Sequence, residues 1–259
     1  MELIMNNLNV IWFILLCVLF AGFFFLEGFD YGTGILLPII GKTDVERRQM
    51  INALGPIWDG NEVWMITAGG ALFASFPHVY ATLFSGFYMA LFLMLAVLIM
   101  RGVAFEFRSK SANRTWRKVF DYCIFIGSIV PALLWGVTVG NLIQGTPIDE
   151  TMTYVGTFWD LFSPYTVLCG VAFVLVFTYH GGLFTSIKTA GPISERARAA
   201  SLVTGVPTAI GVIALIIASY VCTDLYSSIL ATIFCALAVV CFLISWAAAR
   251  TRNTKWGFV

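Results

Sequence analysis

Charge is scarce in this chain. Asp, Glu, Lys and Arg make up 11% of its 259 residues, less than half the roughly 25% of a soluble domain, which excludes an ordinary soluble fold. Histidine is scarcer still. His78 and His180 are the only two. They cannot build a bis-histidine haem site or a metal cluster, and each reads as a packing residue. No CxxC pair occurs. Of Cys17, Cys123, Cys169, Cys222, Cys235 and Cys241, all but Cys222 lie in apolar runs, where a thiol packs as a small hydrophobe. That argues against a disulfide framework, and the eight methionines read equally as core filler. GxxxxGK[ST], GxGxxG and HExxH are absent, so no nucleotide site, metal site or redox centre is evident. A net charge of +1 provides no field for nucleic acid. The N-terminus MELIMNNLNV has neither a basic n-region nor a small-residue cleavage site, so the first apolar segment is expected to be retained.

Long apolar runs are what the chain does have. A spanning helix needs about 20 apolar residues. Seven segments qualify: about 9–40, 50–76, 79–101, 119–143, 162–187, 198–220 and 227–249. The fold class is therefore an all-α polytopic membrane protein built from four-helix-bundle units. Residues 1–145 form the expected first bundle and 146–259 the second, which breaks off at WGFV as though cut short. Seven crossings put all 15 Lys and Arg residues on one side. By the positive-inside rule that side is the cytoplasm and the N-terminus is outside. The opposite loop, QGTPIDETMTYVGTFWD, has acidic residues and no basic one. Segment 50–76 is the most polar candidate. If it did not cross, the cluster Lys42, Arg47 and Arg48 would fall opposite the other basic residues.

Carboxylates inside these segments are the unusual feature. With about 1.5 Å per helical residue, Asp30 lies ~15 Å inside the cytoplasmic boundary and Asp59 ~14 Å inside it. Glu27 and Glu62 lie a turn further out. A charge at such depth costs at least ~2.5–3.5 kcal/mol. These groups must therefore face protein or a hydrated cavity, be protonated, or pair. Arg101 is the only base close enough in depth to reach them. A relay of exchangeable carboxyls is one reading. Hydrogen-bonded glue between helices, with Asn52, Asp59, Asn61 and Glu62 as its members, is the other.

Three stretches carry a resemblance. LEGFDYGTGILLPIIGKTDVERRQMINALGPIWDGNEVWMITAGGALFASFP, YATLFSGFYMALFLMLAVLIMRGVAFEFR and FIGSIVPALLWGVTVGNLIQG resemble subunit II of the cytochrome bd quinol oxidase family, nearly continuously from Leu26 to Gly145. Beyond residue 160 the likeness is looser. The resemblance implies a haem-free subunit paired with a haem-bearing subunit I, which holds two b haems and haem d. It also implies quinol oxidation coupled to oxygen reduction in a bacterial cell membrane. Small single-helix accessory subunits, lipid and a structural quinone are further partners in such complexes. Carried over by motif, the proton-path candidates are Asp59 of WDGN, Asp30 of GFD and Arg101 of RGVAFEFR, with Glu27 and Glu62 beside them. Trp64 is the oxygen-path candidate, and Trp58 and Asn61 support the motif. A proton-coupled transporter and a purely structural scaffold are the competing readings.

Overall fold

The computed structural model describes residues 7–251 and 254–258. Arg252 of the last basic cluster, Val259 of WGFV and the first six residues of the N-terminal stretch lie outside the described residues. The chain folds into helices α1 (Leu8–Ile40), α2 (Asp44–Leu54), α3 (Trp58–Ser75), α4 (Pro77–Gly86), α5 (Tyr88–Phe107), α6 (Arg114–Gln144), α7 (Pro164–Lys188), α8 (Pro192–Cys222), α9 (Ile229–Arg250) and α10 (Thr254–Phe258). Among the described residues the only β feature is an isolated bridge, Ile148 to Tyr154.

Among the described residues, six helices are long and apolar enough to cross a membrane: α1, α5 with the turn after it, α6, α7, α8 and α9. The expected second span, 50–76, is not one helix. It breaks after Leu54 and resumes at Trp58, because Pro56 has no N–H to continue the hydrogen-bond ladder. The polar first piece, α2, starts at a complete capping box between Thr43 and Glu46. The second piece, α3, has 18 residues and is about 27 Å long, close to the thickness of a bilayer core. The third expected span is also divided. The short helix α4 turns at Phe87 into α5, which runs on to Phe107.

Ion pairs fix the ends of the helices relative to one another. Asp121 near the start of α6 pairs with Arg47 of α2 at 2.7 Å and with Arg108 after α5. Asp44 pairs with Arg108 and Arg117 at 3.0 and 2.7 Å. Glu46 meets Arg196 of α8, and Arg198 donates to the Ala249 carbonyl of α9. The basic segments 42–48, 108–118 and 188–198 thus gather at one end of the molecule. Since α5 returns to that end, α3 is the leg that carries the chain away from it.

Helix α1 is the hub, packed against α3, α6 and α7. Its glycines permit the close approach. A Cβ at Gly32 would collide with the backbone of Phe177 and Gly181, and one at Gly34 with Ser128. Thr33 then hydrogen-bonds Thr185 of α7 at 3.1 Å. Helices α6 and α7 meet similarly at Gly136 and Gly170. Residues 1–145 and 146–259 are therefore joined along two extensive helix seams.

Candidate functional site

Arg101 lies at the centre of the site, 1% exposed in the middle of an apolar bundle. It is well inside the membrane segment because α5 extends six residues beyond it, about 9 Å. Gly127 of α6 leaves room for it, since a Cβ there would strike the arginine side chain. Its guanidinium makes an ion pair with Asp30 of α1. Nε donates to Ser128 Oγ at 3.2 Å, and that hydroxyl donates to the Ile124 carbonyl at 2.7 Å. Nη1 lies 3.9 Å from Glu62 Oε1. The rings of Tyr31 and Phe105 each lie 5.0 Å from the guanidinium carbon, a cation–π arrangement.

Asp30 is fully buried, and Asn61 of α3 donates to its second oxygen at 3.2 Å. One arginine and one aspartate thus tie α1, α3, α5 and α6 together. Glu27 is also fully buried. It stands one turn before Tyr31 on α1, on the same face of the helix.

The structure brings Asp30, Arg101, Glu62, Asn61 and Glu27 together. It places Asp59, Trp58 and Trp64 around them. Asp59 is exposed on α3, and its Oδ1 accepts from the Gly60 N–H at 2.8 Å. It lies outside the cluster that Arg101 forms with Asp30. Asn61 points inward, and two residues turn a helix by about 200°, so Asp59 faces outward. Trp58 packs on Phe105 at 5.3 Å. The Trp64 ring lies over Gly22 and remains 37% exposed.

Ser128, Tyr31 and Trp135 were not among the residues singled out from the sequence. A serine, a tyrosine and a tryptophan in apolar runs carry no signal until a charge is placed beside them. The buried Arg108 was legible only as a member of a basic loop, and the buried Asp121, near the start of the segment 119–143, was not singled out.

His180 is packed among phenylalanines, with ring centroids of Phe258, Phe25 and Phe29 at 4.7, 5.1 and 5.7 Å. That environment packs the imidazole among aromatic rings. Exposed His78 begins the short helix α4. Among the described residues, no group of three or more His, Cys, Asp and Glu side chains is arranged to hold a metal ion.

Comparison with known proteins places this geometry. Residues 8–259 match the family described as cytochrome bd terminal oxidase subunit II. The chain is 48% identical over 207 residues to the probable cytochrome oxidase subunit 2 of Haemophilus influenzae, covering 78% of this chain and 55% of that one. It is 40% identical over 257 residues to the cytochrome bd ubiquinol oxidase subunit 2 of Bacillus subtilis, covering 98% and 76%. Identity to the cytochrome bd-I ubiquinol oxidase subunit 2 of Escherichia coli is 47% over 205 residues, 78% of this chain and 54% of the relative. The chain thus spans about half the length of the Haemophilus and Escherichia relatives. Its fold is similar to a chain of the bd oxidase from Geobacillus thermodenitrificans, with a TM-score of 0.79 at 17% identity over 97% of this chain and 79% of that one. The protein is a multi-pass membrane protein, and it belongs to the cytochrome bd terminal oxidase subunit II family.

Proposed function

We propose that this chain is the haem-free subunit of a quinol-oxidising, oxygen-reducing membrane complex. In this reading it sits against a haem-bearing partner subunit and carries protons from the basic, cytoplasmic end toward the partner's oxygen site. Relatives named as ubiquinol oxidase subunits support the activity. The two b haems and haem d belong to the partner, in keeping with the phenylalanine-packed His180 here. The N-terminus is external, supported by the gathering of the basic segments at the opposite end. Lipid, quinone and single-helix accessory subunits are further partners of the assembly.

One observation carries the proton role. Asp59 is exposed on a membrane-length helix and is one turn from Glu62, which reaches Arg101 at 3.9 Å. A carboxylate there cannot face lipid without a cost of at least ~2.5–3.5 kcal/mol. A partner surface that covers it meets a carboxyl leading directly to the buried cluster. Asp30 is occupied by its ion pair and fixes the charge of Arg101. Asp59, Glu62 and Glu27 are left to take up and release protons. Trp64, on the exposed side of α3, borders an oxygen route at the same surface. Trp58 and Asn61 hold α3 in register.

The scaffold reading is favoured by the same Arg101–Asp30 pair, since it links helices whether or not protons pass. The transporter reading differs in what it predicts of the purified assembly. Solubilised complex captured through this chain should show the visible bands of b and d haems in fixed ratio. A chain that purifies alone and colourless, while retaining activity, would favour the transporter.

A further inference from the structure

Two polar tiers cross the seam between α5 and α6. In one, Arg101 Nε donates to Ser128 Oγ. In the other, at the basic end, Arg108 Nε donates to Asp121 Oδ1. The tiers stand seven residues apart on each helix, about 10 Å. Ala104, Phe105 and Ile124 lie buried between them. These three share one apolar cluster with Leu37 of α1 and with Met50 and Leu54 of α2. None of the six side chains has an N–H or an O–H. The bundle interior thus gives water no polar step from Arg108 to Arg101.

The break between α2 and α3 has the opposite character. The Trp58 ring lies beside Gly102 and packs on Phe105, so the break stands level with this apolar plug. Pro56 has no N–H, and the Asn52 carbonyl loses its helical donor. The Ile57 N–H turns to the Leu54 carbonyl at 2.9 Å, so the Ala53 carbonyl loses its own. Asn52, Gly55, Pro56 and Asp59 are all exposed. Gly55 keeps a right-handed helical conformation, and the spacing of these residues sets them along one side of the chain. A Cβ added at Gly60 would meet nothing within 4 Å. The strip begins on α2, which Arg47 and Glu46 hold at the basic end, and it ends at Asp59.

Non-helical backbone at membrane depth is tolerated only where protein buries it or where it lines water. Freed carbonyls need a donor, and the Asn52 amide needs both a donor and an acceptor. Water is both at once. We infer that the α2–α3 break is the water entrance of the proton path. The Asn52 side chain and the carbonyls of Asn52 and Ala53 hold the water that joins the basic end to Asp59. The plug of Ala104, Phe105 and Ile124 bars the direct way through the bundle. This inference rests on the proton path proposed above and adds its entrance.

The test is quinol oxidase turnover of the purified complex in H2O and in D2O, with haem content, for Asn52→Leu and Asn52→Ser. Asn52→Leu should lower turnover severalfold at full haem content and raise the ratio of the rate in H2O to that in D2O. A packing defect alone would leave that ratio unchanged. Asn52→Ser still binds water and should keep most of the activity. Normal turnover and an unchanged isotope ratio in Asn52→Leu would overturn the inference. If Asn52→Leu fails to assemble, a wild-type density map that resolves ordered water decides. It should show water within about 3 Å of the Asn52 amide or of the Asn52 or Ala53 carbonyl. A partner side chain or a lipid tail filling the strip, with no water, would overturn the inference equally. Asp59→Asn separates the two claims. Turnover lost there but normal in Asn52→Leu refutes the entrance and leaves the path standing, whereas full turnover in both refutes both.

Discussion

Arg101 shows how a single side chain can be read correctly in type and incompletely in place. Its charge inside an apolar run was visible in the sequence, as were Asp30, Glu27 and Glu62. Which of these carboxylates it meets was not, because the third apolar segment, 79–101, ends at Arg101. The helix continues to Phe107, and this places the guanidinium within the bundle. Removing one partner of a buried ion pair leaves the other charge uncompensated, at a cost of about 3–5 kcal/mol. Arg101→Leu or Asp30→Leu alone should therefore lower the unfolding midpoint of the complex sharply, with loss of haem through misassembly. Arg101→Leu combined with Asp30→Leu should cost less than the sum of the two. Strict additivity in a double-mutant comparison of thermal unfolding would contradict the pairing. The face that Asp59 occupies was not legible either. Depth along a helix was legible, but which face α3 turns to α1 depends on packing by Asn61 and Ala68, the buried residues of that helix.

Periodicity and apolar length identified most of the elements. Segments 119–143, 162–187, 198–220 and 227–249 each correspond to a single helix, with α6 and α8 starting more than a turn earlier, where polar residues precede the apolar run. Segment 50–76 failed as a continuous helix because one residue, Pro56, outweighs the propensity of its neighbours. The division matters for function: α2 lies at the basic end, and α3 alone carries Asp59 and Glu62. Helix α2 also offers a test by pH. The Glu46 carboxyl accepts from the Thr43 N–H at 3.0 Å and the Lys42 N–H at 2.9 Å. These backbone bonds, above all that from Thr43, together with Arg196 hold its pKa below the ordinary glutamate value. A depressed folded pKa gives stability that is present above the unfolded value and is lost as pH falls through the folded one. Glu46→Gln should therefore lower the melting temperature slightly at neutral pH, and the difference from wild type should close under acid conditions below the usual carboxylate range. A difference that widens on acidification would reverse the sign and contradict the capping geometry.

For the whole molecule, charge asymmetry was the most informative feature of the sequence. It required α3 to cross despite its polarity, and the ion pairs at Asp44, Asp121 and Glu46 gather the basic segments at one end. Single-cysteine variants at Ser111 and Thr153 should label from opposite sides of intact spheroplasts, with Thr153 reached from outside. External labelling of Ser111 would invert the orientation and reverse the direction of the proton path. The exposed face of α3, with Asp59, Val63, Ile66 and Thr67, is where the haem-bearing subunit is placed in this account, and it could not be read from one chain's periodicity. The most direct test is quinol oxidase turnover of the purified complex carrying Asp59→Asn, measured with haem content and with Asp59→Glu alongside. Asparagine preserves shape and hydrogen bonding but cannot carry a proton by ionising. The account predicts that turnover falls at least tenfold in Asp59→Asn at full haem content, and that Asp59→Glu retains part of the activity. Full turnover in Asp59→Asn with every haem in place would contradict it.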